Sequence, residues 1–133
     1  MTWLLSRVVP AIVIFGICVS SAAAQTTYID CKITSVKGEA STETFAIAGT
    51  SVTRWDGAGW VAPCRGTGHC STQVTNMRLL FQMPVYGDII EVTQIDRDTG
   101  KYTWGFVNRN GYSASASGSC VRGAAPAIRP RTF

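Results

Sequence analysis

Residues 101–120 read KYTWGFVNRNGYSASASGSC. Two alternating runs flank a turn in this stretch. Tyr102, Trp104 and Phe106 alternate with Lys101, Thr103 and Gly105. Tyr112, Ala114, Ala116, Gly118 and Cys120 alternate with Ser113, Ser115, Ser117 and Ser119. A period of two sends successive side chains to opposite faces of a strand. Asn110-Gly111, between the runs, is the dipeptide that best supplies the positive φ of a tight hairpin turn. The stretch therefore predicts an antiparallel hairpin with one aromatic strand and one strand of small residues. Small side chains there allow a close approach of neighbouring backbone, or leave room for Trp104.

The same pattern extends upstream. Asp98-Thr99-Gly100 predicts a turn in which the Asp98 side chain accepts from local backbone amides. Ile89 to Ile95 is rich in β-formers and apolar on both faces, and Met77, Leu79, Phe81 and Met83 alternate with Asn76, Arg78 and Gln82, with Leu80 out of phase. Near the start, Ile29, Cys31 and Ile33 alternate with Asp30, Lys32 and Thr34, and Phe45 and Ile47 share a face opposite Thr44 and Ala46. After residue 24 no long stretch carries a helical stripe. The expectation is an all-β domain: a small antiparallel β-barrel or sandwich of about six to eight strands, with a meander in its C-terminal half.

Residues 1–24 read differently. Arg7 precedes an apolar run, Val8 to Val19, and small residues end the segment at Ala22-Ala23-Ala24. This is the layout of a signal peptide cleaved before Gln25. The run is short for a membrane span, which needs roughly 20 apolar residues. Cys18 follows Ile17, where a lipidation site would want a small residue, so it reads as part of the apolar run. The remaining 109 residues form one domain, 25–133, with a basic tail from about 121 carrying Arg122, Arg129 and Arg131. Export implies a periplasmic or secreted protein with no stable membrane insertion after cleavage.

Export also sets the reading of the cysteines. Cys31, Cys64, Cys70 and Cys120 are four in number, which favours two disulfides. Of three pairings, Cys64 with Cys70 and Cys31 with Cys120 is favoured. The first closes a tight loop, and the second joins the first strand to the last as if the sheet closed on itself. In the chain-entropy model the long loop is worth about 4 to 5 kcal/mol and the short one about 2.

Charge is mild. The chain has 12 Lys+Arg against 8 Asp+Glu, and loss of Arg7 leaves 11 against 8. Nothing concentrates the basic residues as a nucleic-acid binder would. Cys64, His69 and Cys70 supply too few retained thiolates and no fourth ligand for zinc, so neither a metal nor another cofactor is expected. Asp96, Asp98 and Gly100 miss the spacing of a calcium loop. No serine sits in a Gly-x-Ser-x-Gly elbow, and nothing selects a carboxylate pair such as Glu43 and Glu91, so no catalytic residue is assigned.

Residues 50–72 stand apart as a long Gly-rich connection, or a short hairpin (Val52 to Trp55, Trp60 to Ala62) with a decorated end. Long connections in compact domains are often functional. Trp55 and Trp60, with Arg54, Arg65 and His69, are the candidate ligand-binding residues, suited to a cell-wall glycan or a protein partner.

The run Ile95-Asp96-Arg97-Asp98-Thr99-Gly100-Lys101-Tyr102, followed by a small-residue strand ending in Cys120, resembles a loose group of small exported bacterial β-proteins. Their Ile-x-Arg-x-Thr-Gly hairpin precedes a late cysteine and a basic tail, and Glu43-Thr44-Phe45-x-Ile47 is similar to their early strand. The resemblance implies fold and compartment, not a function, and the insert at 54–70 departs from it. The functions that remain are a non-enzymatic binding or envelope-associated module using the 54–70 loop, an inhibitor of a secreted protease or lysozyme, and a hydrolase of unrecognised type.

Overall fold

The computed structural model describes residues 25–126. The leader at 1–24 and the tail arginines Arg129 and Arg131 lie outside them. Nine strands follow in order: β1 (Thr27–Ser35), β2 (Ala40–Ala48), β3 (Ser51–Trp55), β4 (Trp60–Val61), β5 (Ser71–Val74), β6 (Arg78–Tyr86), β7 (Ile89–Asp96), β8 (Lys101–Asn108) and β9 (Gly111–Arg122). The count exceeds the expected six to eight because β4 has two residues and β5 four, too short for alternation to reveal. β9 continues through Arg122, the first arginine of the basic tail, and the Gly123 N–H still donates to the Tyr28 carbonyl oxygen of β1 at 2.9 Å.

All nine strands form one antiparallel sheet in the order β4-β3-β2-β1-β9-β8-β7-β6-β5. The sheet curls into a half-barrel. Phe45 of β2 and Phe81 of β6, far apart in that order, stack across the interior with ring centroids 5.5 Å apart. The fold is two meanders, β1 to β4 and β5 to β9, joined along the β1–β9 ladder.

That ladder corrects one expectation. Cys31 and Cys120 are bonded and stand directly opposite each other on β1 and β9. This is the middle of the sheet, not its seam. The open side lies between β3–β4 and β5. The second disulfide, Cys64–Cys70, is there, in the connection from β4 to β5. Two disulfides mark a chain that folds in an oxidising compartment.

Alternation explains the core. Cys31, Ile33, Phe45, Ile47, Leu79, Phe81, Ile95 and Tyr102 point inward and are buried. Each large apolar side chain among them contributes about 1.5–3 kcal/mol by leaving water. Gly118 sits opposite Tyr102. A Cβ there would run into the Lys32 carbonyl oxygen and approach Ile33 Cα to 2.9 Å, so only glycine lets β9 lie this close to β1.

Three local readings change. Ser115 is an extra residue in β9, because Trp104 pairs with Ala116 while Gly105 pairs with Ala114. This bulge reverses the phase of the strand. Tyr112 and Ala114 therefore lie outside, with Tyr112 exposed, instead of sharing the inner face of Ala116. Met77 is exposed in the turn before β6. In the β7–β8 turn the accepting side chain is Asp96, not Asp98: its Oδ1 takes the N–H groups of Asp98 and Thr99 at 2.9 and 2.8 Å. Gly100 closes that turn at φ +72°.

Candidate functional site

Residues 51–70 form one rim of the open side and divide into an outer and an inner surface. The β3–β4 hairpin is held by Asp56, whose Oδ1 accepts the N–H groups of Ala58 and Gly59, both at 2.8 Å. Those two backbone bonds hold its carboxyl below the usual carboxylate range. Gly57 supplies the positive φ, +97°, of this turn. With the turn fixed, Trp55 pairs with Trp60. Their rings meet edge to face with centroids 5.2 Å apart, and Trp60 also leans on Tyr28 of β1 at 5.8 Å.

Thr53 and Trp55 alternate outward from Val52 and Arg54. Beside them is a groove of about 280 Å³ on the outer face. Ala46, Ala48 and Thr53 lie in it, Tyr28 and Trp60 bound it, and Thr26 and Ser51 add hydroxyls. Trp60 is 37% exposed, so its ring is available at the groove.

The inner surface is polar. The loop closed by Cys64–Cys70 lies against β6: a Cβ on Gly66 would collide with the end of the Met83 side chain, and one on Gly68 would press on Met83 and the Pro84 carbonyl oxygen at 3.1–3.2 Å. Its Arg65 turns into the half-barrel. The Arg65 guanidinium pairs with Glu43, donates from Nη2 to the Tyr102 hydroxyl at 3.1 Å and lies 4.6 Å from the centroid of the Trp104 ring. The Arg65 backbone N–H donates to Glu91 Oε1 at 3.2 Å. Tyr102 in turn donates to Glu43 Oε2 at 3.1 Å. Burial opposes the Arg65 charge, but Tyr102 and Glu43 outweigh it and raise its pKa above the ordinary value. Burial, then the Glu43 charge, pushes the Tyr102 hydroxyl well above the usual phenol range.

The five candidate ligand-binding residues therefore do not share a surface. Trp55 and Trp60 face outward. Arg54, opposite Phe45, and Arg65 face inward. His69 is exposed on the loop. Among the described residues, Arg54 Nε and Trp104 Nε1 are buried without a hydrogen-bond partner. No group of three or more His, Cys, Asp or Glu side chains among them could hold a metal ion.

Glu43 and Glu91, which nothing in the sequence selected as a carboxylate pair, both stand on the inner surface. They are the two buried acids of the described residues, 8% and 5% exposed. The signal was present: the phase that puts Phe45 and Ile47 inward also puts Glu43 inward, and Ile95 does the same for Glu91 through Thr93. At the opposite end of the half-barrel Ile29, Ile47, Leu79 and Ile95 line a second hollow of about 300 Å³, rimmed by Asp96, Arg97, Asp98 and Arg122.

Comparison with protein-family models, with curated proteins and with solved structures finds no match.

Proposed function

We propose that this is a non-enzymatic binding module, delivered by its leader to the periplasm or the exterior, whose outer groove takes a glycan. The observation that carries this reading is the pairing of an exposed aromatic edge with a small-residue, hydroxyl-bearing floor. Trp60, braced by Trp55 and Tyr28, offers its part-exposed ring to the C–H side of a sugar, and Thr26, Ser51 and Thr53 offer hydroxyls to its edge. The site is built on strands, so little order need be gained on binding.

An inhibitor loop would have to present its long side chain outward, and Arg65 points inward. A two-carboxylate hydrolase would need its acids facing an open cleft, and Glu43 and Glu91 are both buried, 8% and 5% exposed. Both observations favour the groove.

The test is titration of the disulfide-bonded protein with soluble cell-wall glycan fragments, followed by tryptophan fluorescence and calorimetry. A saturable response is expected, weakened at least about tenfold by Trp60→Ala, as for an aromatic anchor. Absence of binding, or equal binding by Trp60→Ala, overturns the reading.

A further inference from the structure

The inner surface of the half-barrel has a property that the outer groove does not use. Glu43, Tyr102 and Trp104 converge on one guanidinium group, the first two at Nη2 and the third at the central carbon. The carboxylate pairs with it, the hydroxyl accepts from Nη2 at 3.1 Å, and the indole lies 4.6 Å beneath its central carbon. The indole face against the central carbon is what favours a planar, delocalised cation over a compact ammonium, because a guanidinium stacks on an aromatic ring while its nitrogen keeps the carboxylate and hydroxyl contacts.

The receiving groups and the received group stand on different kinds of structure. Glu43 is on β2, and Tyr102 and Trp104 are on β8, all within hydrogen-bonded ladders. Glu43 lies directly opposite Cys31, which is stapled to Cys120. Tyr102 and Glu43 also bond to each other, at 3.1 Å, so their orientation does not depend on the cation. Arg65, by contrast, lies outside the ladders on an irregular loop: its backbone is held by the adjacent Cys64–Cys70 bond and by its N–H to Glu91, the next four residues, 66–69, are exposed, and only its side chain reaches into the site. Its own side chain is 34% exposed, so it fills the site from the mouth and leaves a route to solvent.

We propose that Glu43, Tyr102 and Trp104 form a preformed guanidinium-binding site in which Arg65 is a resident, displaceable occupant. The ligand class is a guanidinium group, carried either by a small guanidino compound or by an arginine side chain of a peptide.

The test uses the disulfide-bonded protein and its Arg65→Ala variant, with methylguanidinium as probe at millimolar concentration, below the denaturing range. The variant is expected to bind methylguanidinium saturably, with a change in Trp104 fluorescence and a rise in Tm. Wild type should bind at least about tenfold more weakly because Arg65 competes, and the double variant Arg65→Ala/Glu43→Gln should not respond. Blocked Gly-Arg-Gly distinguishes the sources: its binding identifies a mouth open to peptide arginine, and binding of methylguanidinium alone identifies a small-molecule site. An equal response to methylammonium, an equal response by the double variant, or no response to either probe overturns the proposal. If Arg65→Ala does not fold, Arg65→Met keeps the stem without the charge. Failure of both to fold in methylguanidinium also overturns it, since the site would not be preformed.

Discussion

The hydroxyl of Tyr102 donates to Glu43 and accepts from Arg65, so one fully buried phenol sits within an ion pair. Tyr102→Phe removes both bonds and leaves the ring in place. We expect a loss of about 1–3 kcal/mol in urea unfolding, the usual penalty when buried polar groups lose a partner. A change within experimental error would show that Glu43 and Arg65 are satisfied without it.

The two disulfides should differ in weight. Replacing Cys31 and Cys120 by Ser is expected to cost about 4 to 5 kcal/mol in the chain-entropy model, and replacing Cys64 and Cys70 about 2. Urea unfolding of the two double variants measures the order, and a larger loss for the short loop would contradict it.

Gly118 carries a sharper expectation. A methyl group there meets Lys32 backbone rather than a movable side chain. Gly118→Ala should cost about 3 kcal/mol or more, by forcing β9 away from β1. Gly66→Ala meets only the flexible end of Met83 and should cost less. Thermal melts of the two variants side by side decide this.

Acid should weaken the protein through its turns. Backbone N–H groups hold the carboxyls of Asp56 and Asp96 below their ordinary value. The unfolded chain therefore takes up protons first as pH falls. Their contribution is complete above the ordinary carboxylate pKa of about 3.9 and is lost as pH drops through that value toward the folded one. Asp96→Asn should flatten the fall of the urea midpoint below about pH 5, down to about pH 2. An unchanged slope would remove Asp96 from the account.

Much of this was legible in the sequence because strand phase and turn chemistry are local. The alternation at Tyr102, Trp104 and Phe106 and the Asn110-Gly111 turn suffice for the β8–β9 hairpin. Glu43 was legible too, had the phase of Phe45 and Ile47 been carried one step back. The inward turn of Arg65 was not, because it lies on a loop with no period and depends on where β6 and Met83 come to rest. The bulge at Ser115 was also hidden. A single extra residue leaves no mark in composition, yet it moves Tyr112 from the inner face to the outer. The expected Cys31–Cys120 bond foreshadowed that the first and last strands meet, but not where: their ladder is the middle of the sheet, and the free edges, β4 and β5, fall midway along the described residues.

Mechanically, the last point makes the domain a split ring. Any neighbouring pair from β4 round to β5 is tied by a ladder of backbone hydrogen bonds, and the β1–β9 spine opposite the gap is also covalently locked. Among the described residues no ladder crosses the gap itself. Force or solvent that widens the interior will do so there first, spreading the two arms about a stiff back, and the segment that spans the split is the one bearing Arg65.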